Sequence, residues 1–174
     1  MKWFDIDKEM RCHCGCEMPA EVRENEKALI ETVLDDARER YGKPIVVNSG
    51  YRCEKYNRDV VHGAANSQHC GRLGNAAADI RTGVSGLGDE AFKAENLKIA
   101  RAIVAGGNWD QMILYVDNAK SLAPRFVHVS WKRGGANRRE VRKKVIGGAP
   151  IYPKLNAAEM AVLTRKEGVK PVNS

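Results

Sequence analysis

The chain has 174 residues, a hydrophobic fraction of 43% and a net charge of +7, which suits one domain with its own core. No apolar run approaches the ~20 residues of a membrane helix, so no membrane span is expected. The opening MKWFDIDKEM is acidic and amphipathic, without the apolar core or cleavage site of a secretory signal; synthesis in a cytoplasm is expected, with any export by another route.

Residues 19–41 predict a helix. Val22, Leu29, Ile30, Val33, Leu34 and Ala37 fall near helical spacing, with Pro19 near the start and Gly42-Lys43-Pro44 as the stop. Ile45 to Asn48 predicts a short buried strand that ends in a turn at Ser49-Gly50. Glu54 to Val60 predicts a short helix. Residues 62–78, rich in Gly, Ala, Asn and Ser, predict a loop, with a strand over Ala78 to Arg81 and another loop at 83–88. Asp89 to Ala105 predicts a second long helix closed by Gly106-Gly107. Gln111 to Val116 and Arg125 to Trp131 predict strands joined as a hairpin through a loop with Pro124. Past Lys132 the composition turns basic and polar, with a helix over Ala157 to Arg165 and a loose end. No internal repeat is present. The order points to an α+β domain, helices flanking a small antiparallel sheet.

Much of the positive charge lies late. WKRGGANRREVRKKV, residues 131–145, carries seven Arg or Lys against one Glu. Such a run fits contact with an anionic wall polymer, nucleic acid or an acidic partner, or simply a solvated helix face. It has neither interleaved aromatics nor a recognition-helix pattern, so specific nucleic-acid readout is not expected.

Five cysteines are present, three of them in Cys12-His13-Cys14-Gly15-Cys16. An odd count argues against a full disulfide framework. The triplet could form part of a structural zinc site, with Cys53 or His13 as fourth ligand, or the thiols could be packing residues. The four histidines are His13, His62, His69 and His128. His128 lies in FVHVSW, where Phe126, His128 and Ser130 share one strand face. His69, Asp79 and His128 would supply the three ligands of a catalytic zinc site that keeps one position open; a half-buried polar role for His128 fits its strand equally. There is no HExxH, no GxSxG and no GxxxxGK[ST], which excludes helix-borne zinc proteases, serine hydrolases of that type and phosphate-loop chemistry.

SGYRC at 49–53, Asn57, GAANSQH at 63–69, AADI at 77–80, WDQMI at 109–113 and FVHVSW at 126–131 occur in that order. Together they resemble the zinc D-alanyl-D-alanine carboxypeptidase family, whose relatives include phage L-alanyl-D-glutamate endopeptidases and the hedgehog domain. WFDIDKEMRCHCGC resembles the opening of many bacterial and phage members. The resemblance implies a hedgehog/D-Ala-D-Ala-peptidase-like fold over residues 1–140, followed by a basic, partly irregular extension over 141–174. It implies zinc held by His69, Asp79 and His128, Arg52 at the active site binding substrate or a developing oxyanion, and Ser67 bonding substrate or orienting a ligand.

Two features depart from the family pattern. Nine residues separate His69 from Asp79, against the usual six, so CGRLGN must bulge outward. The glutamate that serves as the family's base falls on Tyr115, a poor base at neutral pH; Asp117, on the same strand face, could replace it or be an ordinary turn residue. The resemblance thus implies a zinc peptidase acting on peptidoglycan stem peptides, of a phage lysis or virion-associated kind, its basic region touching the virion or an anionic wall polymer. The alternative is a zinc-binding wall or virion module impaired by the loss of the glutamate.

Overall fold

The computed structural model describes residues 1–135 and 137–172. Among these residues six α-helices and five strands follow one another: α1 (Ile6–Glu9), α2 (Ala20–Leu29), α3 (Asp35–Tyr41), β1 (Ile45–Ser49), α4 (Glu54–Asp59), β2 (Asn75–Thr82), α5 (Asp89–Gly106), β3 (Gln111–Val116), β4 (Phe126–Lys132), β5 (Glu140–Val145) and α6 (Ala157–Leu163). The sheet order is β1-β2-β4-β3-β5. All pairs are antiparallel except β3 with β5, so the expected α+β class holds, with one parallel edge.

The helix expected over 19–41 is α2 and α3 joined through a π-helical segment, Ile30–Leu34. Its apolar stripe is Leu29, Ile30, Val33, Leu34 and Ala37. These residues join Ile99, Ala100 and Ile103 of α5, and Ala76, Ala78 and Ile80 of β2, in one core. Helices therefore cover one face of the sheet and leave the other for a site. Four nearly inaccessible residues from β3 and β4, Met112, Leu114, Val127 and Val129, complete the core; burial of such side chains is worth roughly 1.5–3 kcal/mol each.

Strand β2 begins at Asn75, three residues before the expected start. Its Ala76-Ala77-Ala78 run has poor strand propensity, but it is paired with Trp131, Ser130 and Val129 of β4 and fully buried. There the lack of bulk suits close helix packing, and tertiary context overrides propensity. The stretch after 140, expected as a partly irregular extension, supplies strand β5 and helix α6. Val141 of β5 and Leu163 of α6 both reach the core, so the sheet and its packing run across residue 140. Helix α6 starts with a reciprocal capping box between Asn156 and Glu159. No helix among the described residues is long and apolar enough to cross a membrane.

Candidate metal centre

Strand register sets the first half of the site. Asp79 of β2 stands directly opposite His128 of β4, the cross-strand geometry that brings Cβ atoms to about 5 Å. His69 comes from the short 3-10 turn Gln68–Cys70 ahead of β2. The turn after β1 secures it twice: Arg52 N–H donates to the His69 carbonyl at 2.9 Å, and His69 Nδ1 lies 2.7 Å from the Gly50 carbonyl oxygen. The extra residues between His69 and Asp79 form a second turn, Arg72–Gly74, in which Leu73 has a φ of 56° and is 87% exposed. The added length therefore projects outward while its ends close on the site.

His69 Nε2 lies 3.1 Å from His128 Nδ1 and 3.2 Å from Asp79 Oδ1, and His128 Nδ1 lies 3.0 Å from the same oxygen. Three ligands about 2.05 Å from a tetrahedral zinc would stand about 3.3 Å apart; the triangle has almost that size. Both imidazoles are buried, at 3% and 6% exposure.

Proton positions follow from the outer partners. A carbonyl only accepts, so His69 carries its proton on Nδ1 and turns a bare Nε2 inward. His128 Nε2 lies 3.2 Å from Gln68 Oε1. The orientation of that amide is set by its other end, where Gln68 Nε2 donates to Asp110 Oδ2 at 3.2 Å. The amide oxygen must therefore face His128, which carries its proton on Nε2 and points a bare Nδ1 at the centre. Asp110 is buried and paired with Arg138, whose Nη2 lies 2.7 Å from Oδ2. Two imidazole lone pairs and a carboxylate oxygen thus converge with no proton of their own between them. That arrangement is unfavourable unless a cation or a donor is present.

Arg52 is the donor at hand. Its Nη2 lies 3.1 Å from His69 Nε2 and donates to Asp79 Oδ2, while its Nε donates to Ser49 Oγ at 2.8 Å. Burial raises the Asp79 carboxyl, but the electrostatic and hydrogen-bonding pull of the His69 and His128 rings, which acts as either ring takes up a proton, outweighs it and holds it well below the usual carboxylate range. Burial is also the main force lowering His128, against the pull of Asp79. Both histidine and aspartate are thereby kept in the states a metal requires, neutral imidazole and ionised carboxylate. The donor set fits zinc: two nitrogens and one oxygen, ordered by outer partners, on the wall of an open cleft.

That cleft has a volume of about 850 Å³, and Arg52, Ser67, Gln68, Tyr115, Arg142 and Tyr152 are among its lining residues. Ser67 sits on the wall just before the His69 turn. Tyr115 reaches the cleft with its ring stacked on Phe126, centroids 4.2 Å apart. Burial, with the Asp79 charge nearby, pushes its hydroxyl far above the ordinary value of 10.0, so it is a protonated donor at neutral pH. Asp117 lies elsewhere. It bonds Lys93 Nζ at 3.0 Å and Arg125 through Nε and Nη2, which lower its pKa, and it does not border the cleft. Sequence reasoning missed Gln68, Asp110 and Arg138, although each stands inside or beside a quoted motif: SQH, WDQ and NRR. It also missed Arg142 and Tyr152, because it placed them outside the domain.

A buried His-Asp-His triangle on an open cleft is a candidate site for a divalent metal ion. The chain belongs to the Peptidase M15 family, whose model matches residues 5–103; peptidases of this family are zinc-dependent. The match takes in Arg52, His69 and Asp79 and stops short of His128, which joins them only through the pairing of β2 with β4. No curated protein and no solved structure matches the chain.

Proposed function

We propose that the protein is a zinc peptidase that hydrolyses peptidoglycan stem peptides, at a D-Ala-D-Ala or an L-Ala-D-Glu bond, as a phage lysis or virion-associated protein. The observation that carries this reading is the convergence of the unprotonated His69 Nε2, His128 Nδ1 and Asp79 Oδ1 within 3.2 Å of one another. These three would hold the ion. Zinc, when bound, supplies Lewis acidity, polarising a carbonyl and easing the ionisation of water.

The chain's own groups do the rest. The Arg52 guanidinium, anchored by Ser49, presents donors beside the triangle, where a developing oxyanion or a substrate carboxylate needs them. Tyr115 holds its proton and donates into the cleft. Ser67 offers a hydroxyl to a peptide laid along the wall. Lys132, Arg138 and Arg142 also line the cleft, whose bordering carboxylates are Asp79 and Asp110; this balance suits a stem peptide, which bears carboxylates. Neither Asp117 nor Tyr115 supplies a ready base, so turnover is expected to be slow beside an enzyme with a glutamate at position 115, by ~10²–10⁴-fold. The basic surface after residue 131 suits contact with an anionic wall polymer.

Incubation with purified muropeptides, with and without chelator, tests this by mass spectrometry. Metal-dependent release of D-alanine or of stem-peptide fragments is expected, and His128→Ala should abolish it. Full zinc loading without any product would refute the peptidase reading in favour of a binding module.

A further inference from the structure

Cys12, Cys14, Cys16 and Cys53 bring their four sulfurs within 4.8 Å of one another, although 36 residues of chain intervene between the triplet and Cys53. We propose that these four thiolates bind a second, structural zinc ion, which fastens the N-terminal segment to the turn that carries Arg52. The claim that this cluster holds metal is independent of the peptidase reading; its consequence for Arg52 rests on that reading.

The dimensions fit. Zinc with four sulfurs at about 2.3 Å has tetrahedral edges of about 3.8 Å. Cys12 and Cys14 sulfurs lie 3.2 Å apart, and those of Cys14 and Cys53 lie 3.5 Å apart. These separations are far too long for a disulfide, and all five thiols of the chain are free. The ligand loops are built for the purpose. Gly15, between two of the cysteines, has a φ of 75° with nothing within 4 Å of the position its Cβ would take, and its N–H closes a turn on the Cys12 carbonyl at 3.0 Å. Only a residue that tolerates this backbone angle can stand between Cys14 and Cys16.

Backbone donors already face the sulfurs. Cys53 N–H points at Cys12 Sγ from 3.3 Å, and Tyr56 N–H at Cys53 Sγ from 3.4 Å. Such N–H···S contacts stabilise negative sulfur, as required of a metal ligand. His13, the other candidate for fourth ligand, is engaged elsewhere: its Nε2 lies 3.0 Å from the Asn48 carbonyl oxygen and its ring stacks on Tyr56. Cys70 takes no part in the cluster.

The position of the cluster gives it a purpose. Cys53 directly follows Arg52 and caps α4. In the same turn, Tyr51 N–H donates to the Met10 carbonyl at 2.9 Å. Gly50 lies so close to the N-terminal segment that a Cβ there would stand 2.6 Å from Met10 Cα. Without metal, the segment is joined to the turn by the Tyr51–Met10 backbone hydrogen bond, the Cys53 N–H contact with Cys12 Sγ, the thiol contacts and this close approach. Four zinc–sulfur bonds would lock them, and with them the Gly50 carbonyl that orients His69.

Metal analysis of the full chain, prepared with reductant and zinc, tests the proposal. Wild type should carry two zinc ions per chain. Replacement by cobalt should give a sulfur-to-cobalt charge-transfer band, which nitrogen and oxygen ligands cannot produce. Cys14→Ser and Cys16→Ser should each lose one ion and the band. His128→Ala should lose the other ion and keep the band, so failure at one centre is read separately from failure at the other. The proposal is overturned if cobalt-loaded wild type lacks the band, or if both serine variants keep the wild-type zinc content. Should a serine variant fail to fold, the wild-type spectrum decides alone.

Discussion

Replacing Gln68 by leucine removes a residue that touches no ligand atom at the centre of the triangle, yet it should weaken zinc binding. The Gln68 oxygen accepts from His128 Nε2 at 3.2 Å while its nitrogen donates to Asp110 at 3.2 Å. The first contact fixes which imidazole nitrogen is bare, and the second fixes the amide. A leucine leaves the His128 Nε2–H without its acceptor, at a cost of about 1–3 kcal/mol if no partner replaces it. Loss of such an orienting partner typically lowers metal affinity 10–100-fold. Gln68 borders the cleft, so water can reach the abandoned N–H, and the loss should lie near the lower figure, about tenfold. Competition against a chelator of known affinity, at fixed pH, measures it. Gln68→Glu is less informative, because its carboxylate would face Asp110. A zinc dissociation constant for Gln68→Leu within about twofold of wild type would refute the reasoning that His128 is oriented through this amide.

Other perturbations separate the roles assigned to the remaining residues. Tyr115→Glu restores a carboxylate where the family places its base and should raise kcat by ~10² or more; an unchanged kcat at full zinc loading would contradict that placement, and Tyr115→Phe shows how much the hydroxyl itself contributes. Asp117→Asn should leave kcat unaltered, since Asp117 is occupied by Lys93 and Arg125; a fall of ~10² would instead make Asp117 the base. Glu26 is fully buried, both its carboxylate oxygens lack a hydrogen-bond partner, and burial raises its pKa well above 4.5. A carboxyl raised in the fold contributes most below its unfolded value, and that contribution fades as pH climbs above about 4.5 toward the folded value. Glu26→Met should therefore be more stable than wild type at pH 7, by about 1–3 kcal/mol, with the gap closing toward pH 4; urea titrations showing a gap independent of pH would contradict this.

Much of the architecture was legible in the sequence because long periodic segments carry it. The stripe from Val22 to Ala37 and the run from Asp89 to Gly106 specify their helices directly, and FVHVSW alternates as a strand should. Strand β5 was hidden because Glu140-Val141-Arg142-Lys143-Lys144-Val145 buries one residue, Val141, fully, and an edge strand rich in Lys and Arg reads like a solvated basic run. The π segment leaves no mark in hydrophobic spacing at all. In the site, ligand types and order pointed to His69, Asp79 and His128, but two facts needed coordinates. One is that Asp79 and His128 are register partners. The other is that Gln68 and Asp110, 42 residues apart in the chain, form one hydrogen-bonded line behind His128. Asp117 looked serviceable by strand alternation, which cannot reveal that two cations hold it outside the cleft.

The most direct test is anomalous diffraction at the zinc absorption edge from crystals of the zinc-loaded protein. The account expects a peak bounded by His69 Nε2, His128 Nδ1 and Asp79 Oδ1 at about 2.0–2.2 Å each, with Gln68 still on His128 Nε2. A peak bound through the opposite nitrogen of either imidazole, or no peak between these three side chains, would contradict it.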